Sequence, residues 1–222
     1  MMNDFQPLRD VMVKNQLERR GIRDKQILNA FRTTPRHEFV PAAYQNMAYQ
    51  DRPLPIGDGQ TISQPYIVAL MTELINPEPD HKILEIGTGS GYQAAILSQL
   101  VKEVFTIERH LALFQKTAQR FKKLGYTNIH PLQGDGSQGL PDEAPFDAIL
   151  ITAAAPKIPN ILLNQLKNQG KIVAPVGERT SQILMRWTKQ ADGSLTKEQL
   201  SAVAFVPLRG EYGWLENEWP ED

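Results

Sequence analysis

No cysteine occurs among the 222 residues, which excludes a disulfide, a thiolate zinc site and a cysteine nucleophile. Nor is there an excess of either charge. The 24 basic side chains against 25 acidic ones leave a net −1, with no electrostatic footprint for nucleic acid or an anionic membrane. No apolar run approaches the roughly 20 residues that span a bilayer. "MMNDFQPLRD" lacks a basic segment followed by an apolar core, so no signal peptide is expected. The four histidines, His37, His81, His110 and His130, have no ligand spacing, and no metal is expected. The expectation is a cytoplasmic enzyme or binding protein, monomeric, with no nucleic-acid or membrane partner.

What is present is patterning. Leu8, Val11, Met12, Val13 and Leu17 draw an apolar stripe that Gly21 can end, and Asp24 can cap a second helix carrying Ile27, Leu28 and Phe31. A proline- and glycine-rich connection follows, with one short helix near 42–49. From His81 the rhythm changes. The strands "KILEIG", "EVFTIE", "NIHPLQGD", "FDAILIT" and "KIVAPVG" alternate with helices, which predicts a doubly wound, mostly parallel α/β sheet. After Gly177 only strands remain: "SQILMRWTK", an Asp-Gly turn, and "AVAFVPL" as the expected last strand, an antiparallel pair closing the sheet.

The chemistry concentrates in "ILEIGTGSGYQAAIL". A strand runs into Gly87, Gly89 and Gly91 and a helix starts at once, so the backbone can turn tightly at the carboxyl end of a strand, where open α/β sheets bind ligands. Two further acids lie at strand ends. Glu108 is placed to bind ribose hydroxyls, and Asp135 to reach an adenine edge. The glycine spacing is G-x-G-x-G rather than the dinucleotide G-x-G-x-x-G, and Glu85 precedes it. A carboxylate there disfavours a pyrophosphate and favours an ammonium group, which points to S-adenosylmethionine over NAD.

The stretches "DRPLPIGDGQTISQPYIVALM", "LEIGTGSGYQAAIL", "GDGSQGLPDEAPFDAILITAAAP" and "GKIVAPVG" together resemble the protein-L-isoaspartate O-methyltransferase family, bacterial type. The resemblance runs from about Val11 onward and is weakest in the first fifty residues and after Leu208. It implies a Rossmann-like methyltransferase fold and a single adenosylmethionine-dependent domain over 1–222. Its parts are N-terminal helices and loop over 1–60, a cofactor-binding core over 61–177 and a C-terminal β extension over 178–222.

The implied activity is methylation of the α-carboxylate of L-isoaspartyl residues in damaged proteins and peptides. The ester then closes to a succinimide, and S-adenosylhomocysteine is the product. The resemblance places the active-site serine on Ser63. Cofactor contacts fall on Thr61, Ile62, Glu85, Gly87, Thr88, Gly89, Ser90, Gly91, Glu108, Gly134 and Asp135, and peptide contacts on Val206, Pro207 and Leu208.

The competing reading of Ser63 is a helix cap before Pro65, although Pro65 as the first helical residue assigns the cap to Gln64. The loop 52–59 is expected to form part of a lid. Trp187, Trp214 and Trp219 read as packing residues. Rival functions are another adenosylmethionine-dependent small-molecule methyltransferase and a non-catalytic nucleotide-binding protein.

Overall fold

The structure, a computed structural model, describes residues 4–219. Helix α1 (Gln6–Met12) runs into a π-helical turn at 13–17 and a 3-10 turn that ends at Gly21. Met12, Val13 and Leu17 are buried from this stripe, whereas Leu8 and Val11 are exposed. Helix α2 (Lys25–Thr33) is capped by Asp24, whose carboxylate accepts from the Gln26 and Ile27 amides. Two 3-10 segments follow, and then a small hairpin, β1 (Leu54–Gly57) and β2 (Gln60–Ile62), in what the sequence suggests is open loop. Helix α3 (Pro65–Ile75) starts with proline in its first turn, where a missing N–H costs nothing.

Strand β3 (Lys82–Ile86), helix α4 (Tyr92–Leu97), strand β4 (Glu103–Glu108), helix α5 (Leu111–Leu124) and strand β5 (Ile129–Gln133) build one half of the sheet. Strand β6 (Phe146–Ile151), helix α6 (Asn160–Asn164) and strand β7 (Leu166–Glu178) begin the other half. Strands β8 (Ser181–Lys189) and β9 (Leu195–Val203) complete it. The order is β5-β4-β3-β6-β7-β8-β9, parallel from β5 to β7 and antiparallel thereafter.

Strand alternation divides the core. Ile83, Ala148 and Leu150 face a layer that includes the N-terminal helices, while Leu84, Ile86, Ile149 and Ile151 face the layer containing Leu162. The last strand departs from expectation. It covers 195–203, and "FVPL" leaves the ladder to lie instead beside the end of β6, where the Ala154 amide donates to the Val206 carbonyl (2.7 Å) and the Leu208 amide to the Ala154 carbonyl (2.8 Å).

The strand order runs outward in opposite directions from β3 and β6, which are parallel neighbours. This switch point opens a crevice at the carboxyl ends of the strands.

Candidate active site

A cavity of about 800 Å3 occupies that crevice. Its floor is the turn after β3, and its walls come from the end of β4, the loop after β6, the β1–β2 hairpin and the segment 204–209. Of the residues expected there, Thr61, Ile62, Ser63, Glu85, Gly87, Thr88, Gly89, Ser90, Glu108, Val206, Pro207 and Leu208 all line it.

Gly91, Gly134 and Asp135 do not line the cavity. A Cβ on Gly91 would meet the Phe121 ring at 2.6 Å, so the glycine serves the packing of α4 on α5. Asp135 is committed elsewhere. Its Oδ1 accepts from the amide (2.9 Å) and hydroxyl (2.7 Å) of Ser137, and its Oδ2 from the Glu211 amide (2.7 Å). Burial alone would raise this carboxyl, but those hydrogen bonds outweigh it and hold its pKa below the ordinary carboxylate value.

Glu108 stays in the cavity but also organises it. Its Oε2 accepts from the Gly89 amide and its Oε1 from the His110 amide, each at 2.9 Å, which ties the glycine turn to the end of β4. The turn is stitched further. The Gly87 and Thr88 amides share the Ile107 carbonyl, Thr152 Oγ1 donates to the Gly87 carbonyl at 2.6 Å, and Ser90 Oγ accepts from the Tyr92 amide at 3.2 Å. The amides of Gly87, Thr88, Gly89 and Tyr92 are therefore already paired within the protein.

Glu85 is fully buried on β3. One oxygen accepts from Thr106 Oγ1, and the other has no hydrogen-bond partner. Burial pushes its pKa up to about 8, against the lowering effect of the Thr106 hydrogen bond, with the Glu108 charge raising it further. An unpartnered buried carboxyl oxygen on the wall of a cavity is costly unless something polar meets it. An ammonium group satisfies that requirement, so the residues present fit adenosylmethionine.

Ser63 is half-buried and lies outside the first turn of α3. Gln64 holds the cap position, and no side chain hydrogen-bonds that turn, so the cap reading does not hold. The serine's backbone is anchored by a residue that sequence reasoning passed over. Arg36, fully buried, donates through Nη2 to the Ser63 carbonyl (2.7 Å) and through Nε to the Ala48 carbonyl (2.7 Å). Its guanidinium carbon lies 4.8 Å from the centre of the Tyr92 ring. Burial lowers the Arg36 pKa to about 10. Nothing in "PRHEFVP" marks this arginine, because both acceptors are main-chain carbonyls distant in sequence.

The family model described as Protein-L-isoaspartate(D-aspartate) O-methyltransferase (PCMT) matches residues 9–213. A curated relative, Protein-L-isoaspartate O-methyltransferase 1 of Syntrophobacter fumaroxidans, is 53% identical over 213 residues, covering 96% of this chain and 99% of its own. A solved structure described as a protein-L-isoaspartate O-methyltransferase superposes with a TM-score of 0.85 at 27% identity, over 92% of this chain and 67% of that one. A second, from Plasmodium falciparum and described as a beta-aspartate methyltransferase in complex with S-adenosyl-L-homocysteine, gives 0.79 at 28% identity, over 93% and 99%.

Proposed function

The chain belongs to the protein-L-isoaspartate(D-aspartate) O-methyltransferase family, and from that premise we propose how its residues divide the work of methyl transfer. The activity is S-adenosylmethionine-dependent methylation of isoaspartyl residues in proteins and peptides. When bound, the cofactor supplies a methyl group on a positively charged sulfur.

The acceptor needs little activation. A carboxylate with a pKa near 4 is already an anion at neutral pH, so no general base is required. What the protein must supply is alignment of the reacting atoms within about 3 Å and a dry surrounding. Ser63 is the orienting residue in this reading: its neutral hydroxyl can donate to one carboxylate oxygen without opposing the charge on the other. Thr61, Ile62, Gly87, Thr88, Gly89 and Ser90 bound the cofactor space, Glu85 takes its ammonium group and Glu108 its ribose hydroxyls. Val206 and Leu208 are pinned to Ala154 through their backbones, which leaves Pro207 between them facing the other side as part of an edge for the substrate peptide.

The observation that carries this assignment is the convergence on one cavity of Ser63, from the connection before α3, with Glu85 of β3 and Glu108 of β4. The N-terminal part, the core and the β extension all contribute walls, through Pro53, Glu85 and Ala204 among others, which supports 1–222 working as one unit. A cytoplasmic location is part of this reading, and a chain that needs no disulfide is compatible with it. Among the described residues no helix is long and apolar enough to cross a membrane. It is read as a monomer that binds no nucleic acid, since one chain encloses the cavity and the net charge is near zero.

The decisive assay measures methyl transfer to an isoaspartyl peptide and to its normal aspartyl twin. Labelling of the first alone is expected. Equal labelling of both, or of neither, overturns the reading.

A further inference from the structure

The segment after Leu208 is built onto the molecule by polar contacts of two kinds. The first set centres on Arg209, which is 8% exposed. Its Nη1 donates to the carbonyls of Leu215 (2.7 Å) and Trp214 (3.4 Å), and its Nη2 to the carbonyl of Trp219. One guanidinium thus gathers three carbonyls of the same segment and bends it back on itself. The Trp214 amide donates to the Leu208 carbonyl at 2.8 Å, and the Trp214 and Trp219 rings meet edge to face at 5.6 Å.

The second set latches the turn to the end of β5. Asp135 Oδ2 accepts from the Glu211 amide (2.7 Å), Ser137 Oγ from the Tyr212 amide (3.0 Å), and Glu211 Oε2 from Gln138 Nε2 (2.9 Å). The approach is close enough to demand glycine. Gly210 has φ +142°, and a Cβ there would come within 1.9 Å of Asp135 Oδ1. Asp135 therefore spends one carboxylate oxygen on the C-terminal segment and the other on Ser137.

These contacts have one shared result. Trp219, which is 7% exposed, becomes a wall of the cavity in company with Leu208, Arg209 and Gly136. It is tethered to Arg209, whose neighbour Gly210 abuts Asp135 just after β5, which puts it on the β5 side of the cavity. Glu108, the ribose ligand, belongs to the adjacent strand β4. With its ribose held at Glu108, a nucleoside whose base lay on the β5 side would reach Trp219, and a large flat ring is the side chain best suited to meet a purine.

We propose that Trp219 forms one wall of the adenine pocket, and that Asp135, Ser137 and Arg209 are positioning residues that bring it there. This rests on the cofactor reading given above. The segment after Leu208 is then part of the cofactor site, and Asp135 contributes to base recognition through Trp219.

The test uses tryptophan emission and calorimetry on the full chain without substrate. Adenosine and adenosylhomocysteine are expected to change the emission saturably, homocysteine alone to leave it unchanged, and Trp219→Phe to remove the change. Trp219→Leu is expected to weaken adenosylhomocysteine on the order of tenfold, the scale of losing one base–aromatic stack. If Trp219→Leu unfolds, the Trp219→Phe emission comparison decides alone. Binding that persists at wild-type affinity in Trp219→Leu, or an emission change that survives in Trp219→Phe, overturns the role of Trp219. Failure of adenosylhomocysteine to bind the wild-type protein overturns the cofactor reading itself.

Discussion

Arg36 Nη2 donates to the carbonyl oxygen of Ser63 at 2.7 Å, from a side chain with no solvent exposure. Its bonding partners are the carbonyls of Ser63 and Ala48 rather than carboxylates. The forked guanidinium can reach both at once, which a lysine ammonium on a single stem does not reproduce. Arg36→Lys is expected to leave one carbonyl unsatisfied and to lower stability by about 1–3 kcal/mol, measured by urea unfolding. Turnover on an isoaspartyl peptide should fall with it, because the backbone that carries the serine is released. Stability and turnover both at wild-type level would show that the contact positions nothing.

Ser63→Ala removes the hydroxyl and leaves that backbone contact in place. Turnover is expected to drop about 10- to 100-fold, the range for losing a hydrogen bond to a charged group, with adenosylhomocysteine affinity largely kept. Steady-state kinetics alongside calorimetry separates the two effects. Full activity in the variant would remove Ser63 from the mechanism.

Glu108→Ala should weaken adenosylhomocysteine binding by about 1.5–3 kcal/mol through lost ribose hydrogen bonds. The structure adds a second consequence. The Gly89 and His110 amides lose their shared acceptor, so the glycine turn loosens and thermal stability falls as well. Affinity unchanged in a folded variant would place the ribose ligand elsewhere.

Glu85 predicts a pH signature. Its carboxyl titrates near 4.5 when unfolded and near 8 when folded, because burial disfavours the charge. Between those values the folded state binds the extra proton, so the stability associated with this group is present below 4.5 and is lost as pH rises to about 8. The slope is at most about 1.4 kcal/mol per pH unit. Glu85→Gln should flatten the unfolding free energy across that window relative to wild type. A cationic ligand beside Glu85 favours its ionised form, so binding of adenosylmethionine near pH 7 should release a proton. Calorimetry in two buffers of different ionisation enthalpy reads that release. Parallel stability curves for the two proteins would mean that Glu85 is not the titrating group.

Much of the site was legible because it rests on local rules. Strand periodicity, the glycine turn after β3 and an acid at the end of β4 are short-range patterns. The same holds for Pro65, which opens α3 and moves the cap from Ser63 to Gln64. The extent of the last strand was not legible in this way. "FVPL" has ample strand propensity, but Val203 already pairs with Gln182 next to the start of β8 at Ser181, so the ladder runs out and the chain finds Ala154 instead, a partner that only the tertiary structure supplies.

By itself, then, the sequence determined the doubly wound sheet, its ligand-binding end and the residue types that meet there, since each follows from periodicity or from a turn that tolerates few side chains. Only the tertiary structure decided the long-range choices: Arg36 on the Ser63 carbonyl, Asp135 on the Glu211 amide, and Trp219 in the cavity wall. The physical reason is common to all three. A buried donor or acceptor takes whichever partner the packing brings within about 3 Å, and main-chain partners leave no trace in residue type.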